Sequence, residues 1–180
     1  MITIALVEPE IPQNTGNIAR LCAATRTPLH LVGALGFRID DRAVRRAGLD
    51  YWKHVSLQHH RDLNALRASL PTARFVYFSS KVEKSYLVWK FETDDCLVFG
   101  RETGGLPAEI LRENQDRCLT IPMINPNVRS LNLANSVAIA LYEALRQTGA
   151  LNDGGASMHQ EDDGLDSSSS SSSLVSSKTS

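Results

Sequence analysis

Only three cysteines, Cys22, Cys96 and Cys118, occur in the 180 residues, and they stand far apart with no CxxC pair. That excludes a disulfide framework, and an odd, scattered set fits a reducing compartment. Long apolar runs are missing too. MITIALVEPE carries no basic stretch ahead of its short apolar one, and nothing later approaches the roughly 18 apolar residues that a bilayer-spanning helix needs. A soluble, cytoplasmic chain with no membrane partner is expected. Strong charge of one sign is also absent: the net charge is −1, which excludes a highly basic nucleic-acid scaffold. What is present, 42% apolar and 22% charged residues, is the composition of an ordinary globular protein long enough to bury one core.

The small net charge conceals a division. Residues 1–150 hold 18 Lys and Arg against 15 Asp and Glu, a net +3, whereas residues 151–180 hold 1 against 5, a net −4. The second stretch has few apolar residues and a serine run from Ser167 to Ser173, so it cannot repay the entropy of ordering. The expected organisation is a mildly basic domain, 1–150, followed by a disordered acidic, Ser-rich tail, 151–180. Within the domain, short apolar or β-rich segments at 2–7, 29–32, 74–78, 96–99 and 118–121 alternate with helical candidates at 14–25, 42–47, 62–70, 107–114 and 131–147. Such alternation predicts an α/β fold with a parallel sheet flanked by helices. In the last helix Ser130 is the expected N-cap and Gly149 the stop. Leu133, Val137, Leu141 and Leu145 follow at helical spacing, and Ala134, Ala138, Ile139 and Tyr142 occupy the other face. Such a helix is buried on two sides, either in the centre of the core or against a second subunit.

Three polar clusters follow strand ends, where open α/β sheets bind ligands. In EPEIPQNTGNIARLCAAT, residues 8–25, Asn14 or Thr15 is positioned to cap a helix, and Asn17 and Arg20 share one face. The pattern suits a phosphate or other polar ligand, or simply a capped helix with a solvated arginine. LVFGRETGGLP, residues 97–107, has Gly100 and Gly105 at the spacing of a triphosphate loop. Leu106 and Pro107 stand where that loop needs Lys and Ser or Thr, so a triphosphate site is excluded. The glycines instead allow close backbone approach or positive φ, and Glu102 is a polar group in the turn. In the third cluster, residues 121–145, Arg129, Ser130, Asn132, Asn135 and Ser136 gather at the start of an otherwise apolar helix, and buried amides need partners. Arg38, Arg42, Arg45, Arg46 and Lys53, interleaved with Phe37, Tyr51 and Trp52, suit RNA or form a solvated helix face. His59 and His60 have no companion ligands, and no metal is expected.

NTGNIAR, FGRETGGLP and IPMINPNVRSLNLANSVAIALYEA, with EPEIPQNTGNIARLC before them and GFRIDDRAVRRAGLDYW between, resemble the motifs of the SPOUT superfamily. Within it they are similar in detail to the TrmL (YibK-type) tRNA 2′-O-methyltransferases. The likeness spans residues 1 to about 149 in one collinear run. Two features depart from the family pattern: Arg101 and Gly104 stand where relatives often carry Pro before Glu and Arg after Thr, and INPNV holds about one extra residue.

The resemblance implies a SPOUT fold with a C-terminal deep trefoil knot, bound S-adenosylmethionine and a homodimer. It implies methylation of the ribose 2′-hydroxyl of the wobble nucleotide, cytidine or modified uridine at position 34, in the anticodon stem-loop of tRNA. The alternatives are a catalytically silent RNA-binding relative, a different tRNA or rRNA nucleotide, or an unrelated nucleotide-binding protein. Gly100, Ile121 and Ser130 match family cofactor positions, as does Phe78 or Ser79, and Met123 and Leu131 could help line an adenine slot. Arg20 matches the catalytic arginine. Because a guanidinium stays protonated, its expected work is to grip a phosphate and stabilise the forming alkoxide, with Asn14, Glu102, Ser130 or Asn132 orienting it. Arg129 and Tyr142 match positions near the nucleotide or the partner subunit, and Arg45 and Arg46 are expected to bind substrate.

Overall fold

The computed structural model describes residues 1–38 and 54–152. The expected helix at 42–47, Arg42, Arg45, Arg46, Tyr51, Trp52 and Lys53, and the tail from 153 onward lie outside these described residues. Six strands pair in parallel: β1 (Thr3–Val7), β2 (Leu29–Val32), β3 (Leu57–His60), β4 (Arg74–Phe78), β5 (Asp95–Phe99) and β6 (Cys118–Leu119). Their order across the sheet is β3-β2-β1-β5-β4-β6. The four helices among the described residues are α1 (Pro12–Thr25), α2 (Leu63–Ser69), α3 (Ala108–Glu113) and α4 (Leu133–Thr148).

Alternate strand residues feed two cores. Ile4, Leu6, Leu29, Leu31, Val76, Phe78, Leu97 and Phe99 pack beneath α1 and α4, against Ile18, Ala19, Cys22, Val137, Leu141 and Ala144. Ala5, Val7, Val32, Phe75, Tyr77, Cys96 and Val98 pack on the other face against Leu66 of α2 and Ile110 and Leu111 of α3. Burial on both sides is why β1 and β5 read as continuous apolar runs. At the N-terminal end of β5, Asp95 is fully buried and forms a two-pronged pair with Arg74, Nε to Oδ1 at 2.6 Å and Nη2 to Oδ2 at 2.9 Å.

Several expected boundaries shift for physical reasons. Helix α1 starts at Pro12, whose missing N–H costs nothing at a first helical position, and Ile11 stands at its N-cap with no side-chain cap. Asn14 and Thr15 are therefore buried residues of the first turn and not caps. Asn132, rather than Ser130, caps α4: its Oδ1 accepts from the N–H groups of Ala134 at 2.9 Å and Asn135 at 3.3 Å. Gly149 ends α4 as expected, at φ 76°. Strand β6 stops at Leu119 because the chain turns aside. Thr120 donates to Lys84 O at 2.8 Å and accepts from Tyr86 N–H at 2.9 Å, so it runs beside the β4–β5 connection. Strand β3, LQHH, is a half-exposed edge strand without an apolar pattern, and sequence reasoning missed it.

Candidate active site

Chain order along the sheet reverses between β1 and β5, so the loops leaving their C-terminal ends, 8–11 and 100–107, border one crevice. The Glu102 carboxylate reaches across it. It accepts from Glu10 N–H at 2.8 Å, Ile11 N–H at 3.2 Å and Asn14 Nδ2 at 3.0 Å. A carboxylate suits this place because it meets the start of α1, where unpaired N–H groups and the helix dipole favour negative charge. Asn14 then accepts on Oδ1 from Asn132 Nδ2 at 2.9 Å. Glu102, Asn14 and Asn132, each from a different polar cluster, thus form one hydrogen-bonded line. Its centre is buried, with Asn14 only 6% exposed.

A second, outer clamp runs in the opposite sense. Glu10 accepts from Thr103 N–H at 3.0 Å and from its hydroxyl at 2.8 Å, while Glu8 pairs with Arg101 at 3.4 Å. Hydrogen bonds from Thr103, the hydroxyl foremost, hold the Glu10 carboxyl below its ordinary range. Glu8 and Glu10 were not singled out from the sequence, although two acidic residues facing Arg101 and Thr103 in a recognised motif are the signal that would have found them. Lys81 Nζ adds a bond to Gly104 O at 2.7 Å, tying the β4 exit to the same loop. Gly100 permits the loop to close: a Cβ there would lie 2.1 Å from Gly105 C and 2.2 Å from Leu106 N. Gly105 itself takes φ 68°, which a side chain resists.

Other expected site residues surround this frame. Arg20 and Asn17 lie on an exposed face of α1 beyond Asn14. Phe78 is buried and stacks on Phe99 at 4.8 Å, and Ser79 is half-buried with its N–H on Leu119 O. Ile121 and Met123 are half-buried, whereas Leu131, Arg129 and Ser130 are exposed. Main-chain groups of Ile121, Met123 and Leu131 make no hydrogen bond to other described residues, and Asn132, next to Leu131, is bonded to Asn14 at the crevice. Tyr142 is exposed near the middle of α4. It joins no hydrogen bond of the Glu102–Asn14–Asn132 line.

The chain and its fold are similar to known proteins. The family model described as the SpoU rRNA methylase family matches residues 1–142, nearly the whole described domain. The chain belongs to that family. Among its relatives, the tRNA (cytidine(34)-2′-O)-methyltransferase of Methylovorus glucosotrophus is 47% identical over 148 residues, covering 82% of this chain and 96% of that protein. A solved structure described as giving structural insights into the 2-OH methylation of C/U34 on tRNA superposes with a TM-score of 0.78 at 48% identity. It covers 82% of this chain and 95% of the other. A more distant family member, the SpoU methyltransferase AviRb of Streptomyces viridochromogenes in complex with AdoMet, shares the fold with a TM-score of 0.70 at 24% identity, over 82% of this chain and 60% of that one. Among the described residues no helix is long and apolar enough to cross a membrane.

Proposed function

We propose that this chain is a tRNA ribose methyltransferase that uses S-adenosylmethionine to methylate the 2′-hydroxyl of nucleotide 34, cytidine or modified uridine. The Glu102–Asn14–Asn132 line is the observation that carries this reading, because it fixes three loops around one crevice with Arg20 on the helix that the line anchors. The names of relatives at 47–48% identity supply the target nucleotide.

The residues present fit the cofactor. Ile121, Met123 and Leu131 offer apolar surface with unpaired main-chain groups, which is what an adenine edge requires, and Phe78, Ser79, Gly100 and Ser130 border the same loops. When bound, S-adenosylmethionine supplies a methyl group on a positively charged sulfur. The protein's part is alignment of the ribose oxygen and stabilisation of its developing charge. Arg20 grips the phosphate next to the target ribose and holds the oxygen as its proton leaves. Glu102 and Asn14 fix the start of α1 and so the position of Arg20, while Arg129, Tyr142, Arg45 and Arg46 hold the rest of the nucleotide and the anticodon stem-loop.

Residues 118–149 close a deep trefoil knot over the connection between β4 and β5. In support, Thr120 bonds that connection at Lys84 and Tyr86, and Gln147 of α4 bonds it again at Phe91 N–H, 2.9 Å, and Trp89 O, 3.1 Å. The enzyme works in the cytoplasm as a homodimer, with Ile139 and Tyr142, exposed on α4, at the subunit contact. Residues 1–150 are the methyltransferase domain, and 151–180 follow it as an acidic, Ser-rich stretch. Incubation with undermodified tRNA and labelled S-adenosylmethionine, followed by nucleoside digestion, should give a 2′-O-methylated nucleoside that maps to position 34. Absence of that product overturns the proposal.

A further inference from the structure

A second polar cleft lies on the other face of the sheet from Phe78 and the cofactor loops. It has a volume of about 420 Å³ and is bounded by the end of α2, β4 and the turn that precedes β6. Phe75 contributes to an apolar floor, and Arg67, Arg117 and Glu113 carry the charge. Each arginine is held by a neutral acceptor. Arg67 Nη2 donates to Tyr77 Oη at 2.8 Å, and Arg117 Nη2 donates to Asn114 Oδ1 at 3.4 Å. Both acceptors are buried, Tyr77 at 1% and Asn114 at 8% exposure, and Asn114 is fixed in turn by donating to Ile110 O at 2.7 Å.

Neutral partners aim a guanidinium without cancelling its charge. Among the described residues neither Arg67 nor Arg117 forms an ion pair, Glu113 included, in contrast to Arg74 with its two carboxylates. Two like charges facing one cleft repel each other until an anion joins them. Tyr77 supplies a second, independent sign. Its Oη accepts from Arg67, but its own O–H has no acceptor among the described residues although the side chain is almost fully buried. Because Tyr77 lines the cleft, an oxygen entering it would accept from that O–H.

We propose that this cleft is a phosphate-binding site, in which Arg67 and Arg117 take the charged oxygens, Tyr77 donates its O–H, and the attached sugar or base rests on Phe75. Phosphate fits because its several oxygens can take two guanidinium forks and a hydroxyl together. Two sources share this chemistry: a backbone phosphate of the bound tRNA, a case that rests on the function proposed above, or a free mononucleotide.

The test uses the full chain and compares wild type with Arg67→Gln, Arg117→Gln, their double variant and Tyr77→Phe. Titration calorimetry with inorganic phosphate and with AMP reads the mononucleotide source, and filter binding of tRNA from 50 to 200 mM salt reads the backbone source. In the first case the wild type takes up phosphate or AMP and the double variant does not. In the second, the double variant loses about tenfold in tRNA affinity and its log–log salt slope falls by about 1. In both, kcat at saturating tRNA and affinity for S-adenosylmethionine stay unchanged, and Tyr77→Phe weakens binding in the same direction. Arg117 is exposed, so Arg117→Gln keeps the test open should the double variant unfold. Phosphate, AMP and tRNA binding all within twofold of wild type overturn the proposal. Methylation by the wild type, run in parallel, separates that failure from a failure of the methyltransferase reading.

Discussion

Replacing Asn14 by Asp tests the line that joins the three loops, because it changes one atom of a buried contact into a charge. In the native protein Asn14 Nδ2 donates to Glu102 Oε1 at 3.0 Å. Asn14→Asp sets a carboxylate oxygen against a carboxylate oxygen at that separation. At an effective dielectric of about 20 the repulsion is about 5 kcal/mol. The protein can escape it by protonating one of the pair, at about 1.4 kcal/mol for each pH unit above a carboxyl's ordinary value near 4. That costs about 5 kcal/mol at pH 7.5 and about 2 kcal/mol at pH 5.5. The folded pair therefore holds a proton that the unfolded chain releases, and stability falls as pH rises. Asn14→Ala, which also loses the bond from Asn132, provides the reference without the charge. Urea unfolding of both variants between pH 5.5 and 7.5 should show Asn14→Asp losing about 3 kcal/mol more than Asn14→Ala across the interval, with methyl transfer recovering toward the acid end. Parallel pH dependence in the two variants would refute the reasoning.

Arg20→Ala should retain affinity for S-adenosylmethionine and lose turnover by at least a hundredfold; calorimetry and single-turnover rates distinguish this from loss of cofactor binding, which would move Arg20 to the cofactor side. Gly100→Ala should force the 100–106 loop open, since the new Cβ would overlap Gly105 and Leu106, and activity should collapse even where circular dichroism shows the sheet intact. Asp95→Ala removes the buried carboxylate but leaves Arg74 paired with Glu92, and should cost about 1.5–3 kcal/mol in chemical denaturation. His30 is 3% exposed, and burial foremost, with His60 beside it at 2.9 Å, pulls it down to about 4. The unfolded chain binds that proton first, so His30 withdraws about 2 kcal/mol of stability between pH 7.5 and pH 5, and a His30→Gln variant should lose correspondingly less over the same range.

How much of this was legible in the sequence follows from which forces wrote it. Strands buried on both faces leave continuous apolar runs, so β1, β2, β4 and β5 could be placed from residue type alone. Strand β3 could not, because an edge strand with one wet face carries no such run, and its partner is set by a register that only the fold reveals. Two helix starts also differ from expectation, for different reasons. Local rules favoured Asn14 and Ser130 as caps, but the structure spends Asn14 on a contact with Glu102, 88 residues away, and caps α4 with Asn132. A long-range hydrogen bond outranked local preference at the start of α1, whereas α4 has an ordinary local cap two residues further on, at Asn132, whose amide nitrogen is left to reach Asn14.

The start of α1 shows how the loop after β5 and the helix depend on each other. A helix whose N-cap is Ile11 is under-capped by its own sequence, and the missing acceptor arrives from the loop after β5 as Glu102. The same carboxylate is thus a structural requirement of α1, so the loop cannot leave without loosening the helix that carries Arg20. The three glycines of the 100–105 loop, which first suggested a phosphate cradle, gain a different meaning. Gly100 lets the loop fold back on itself, Gly105 takes the left-handed turn, and Gly104 leaves space that the Arg101 side chain fills at 2.9 Å from where a Cβ would stand. Room made at Gly104 lets Arg101 reach Glu8, so Arg101 and Gly104 are matched to each other within one loop.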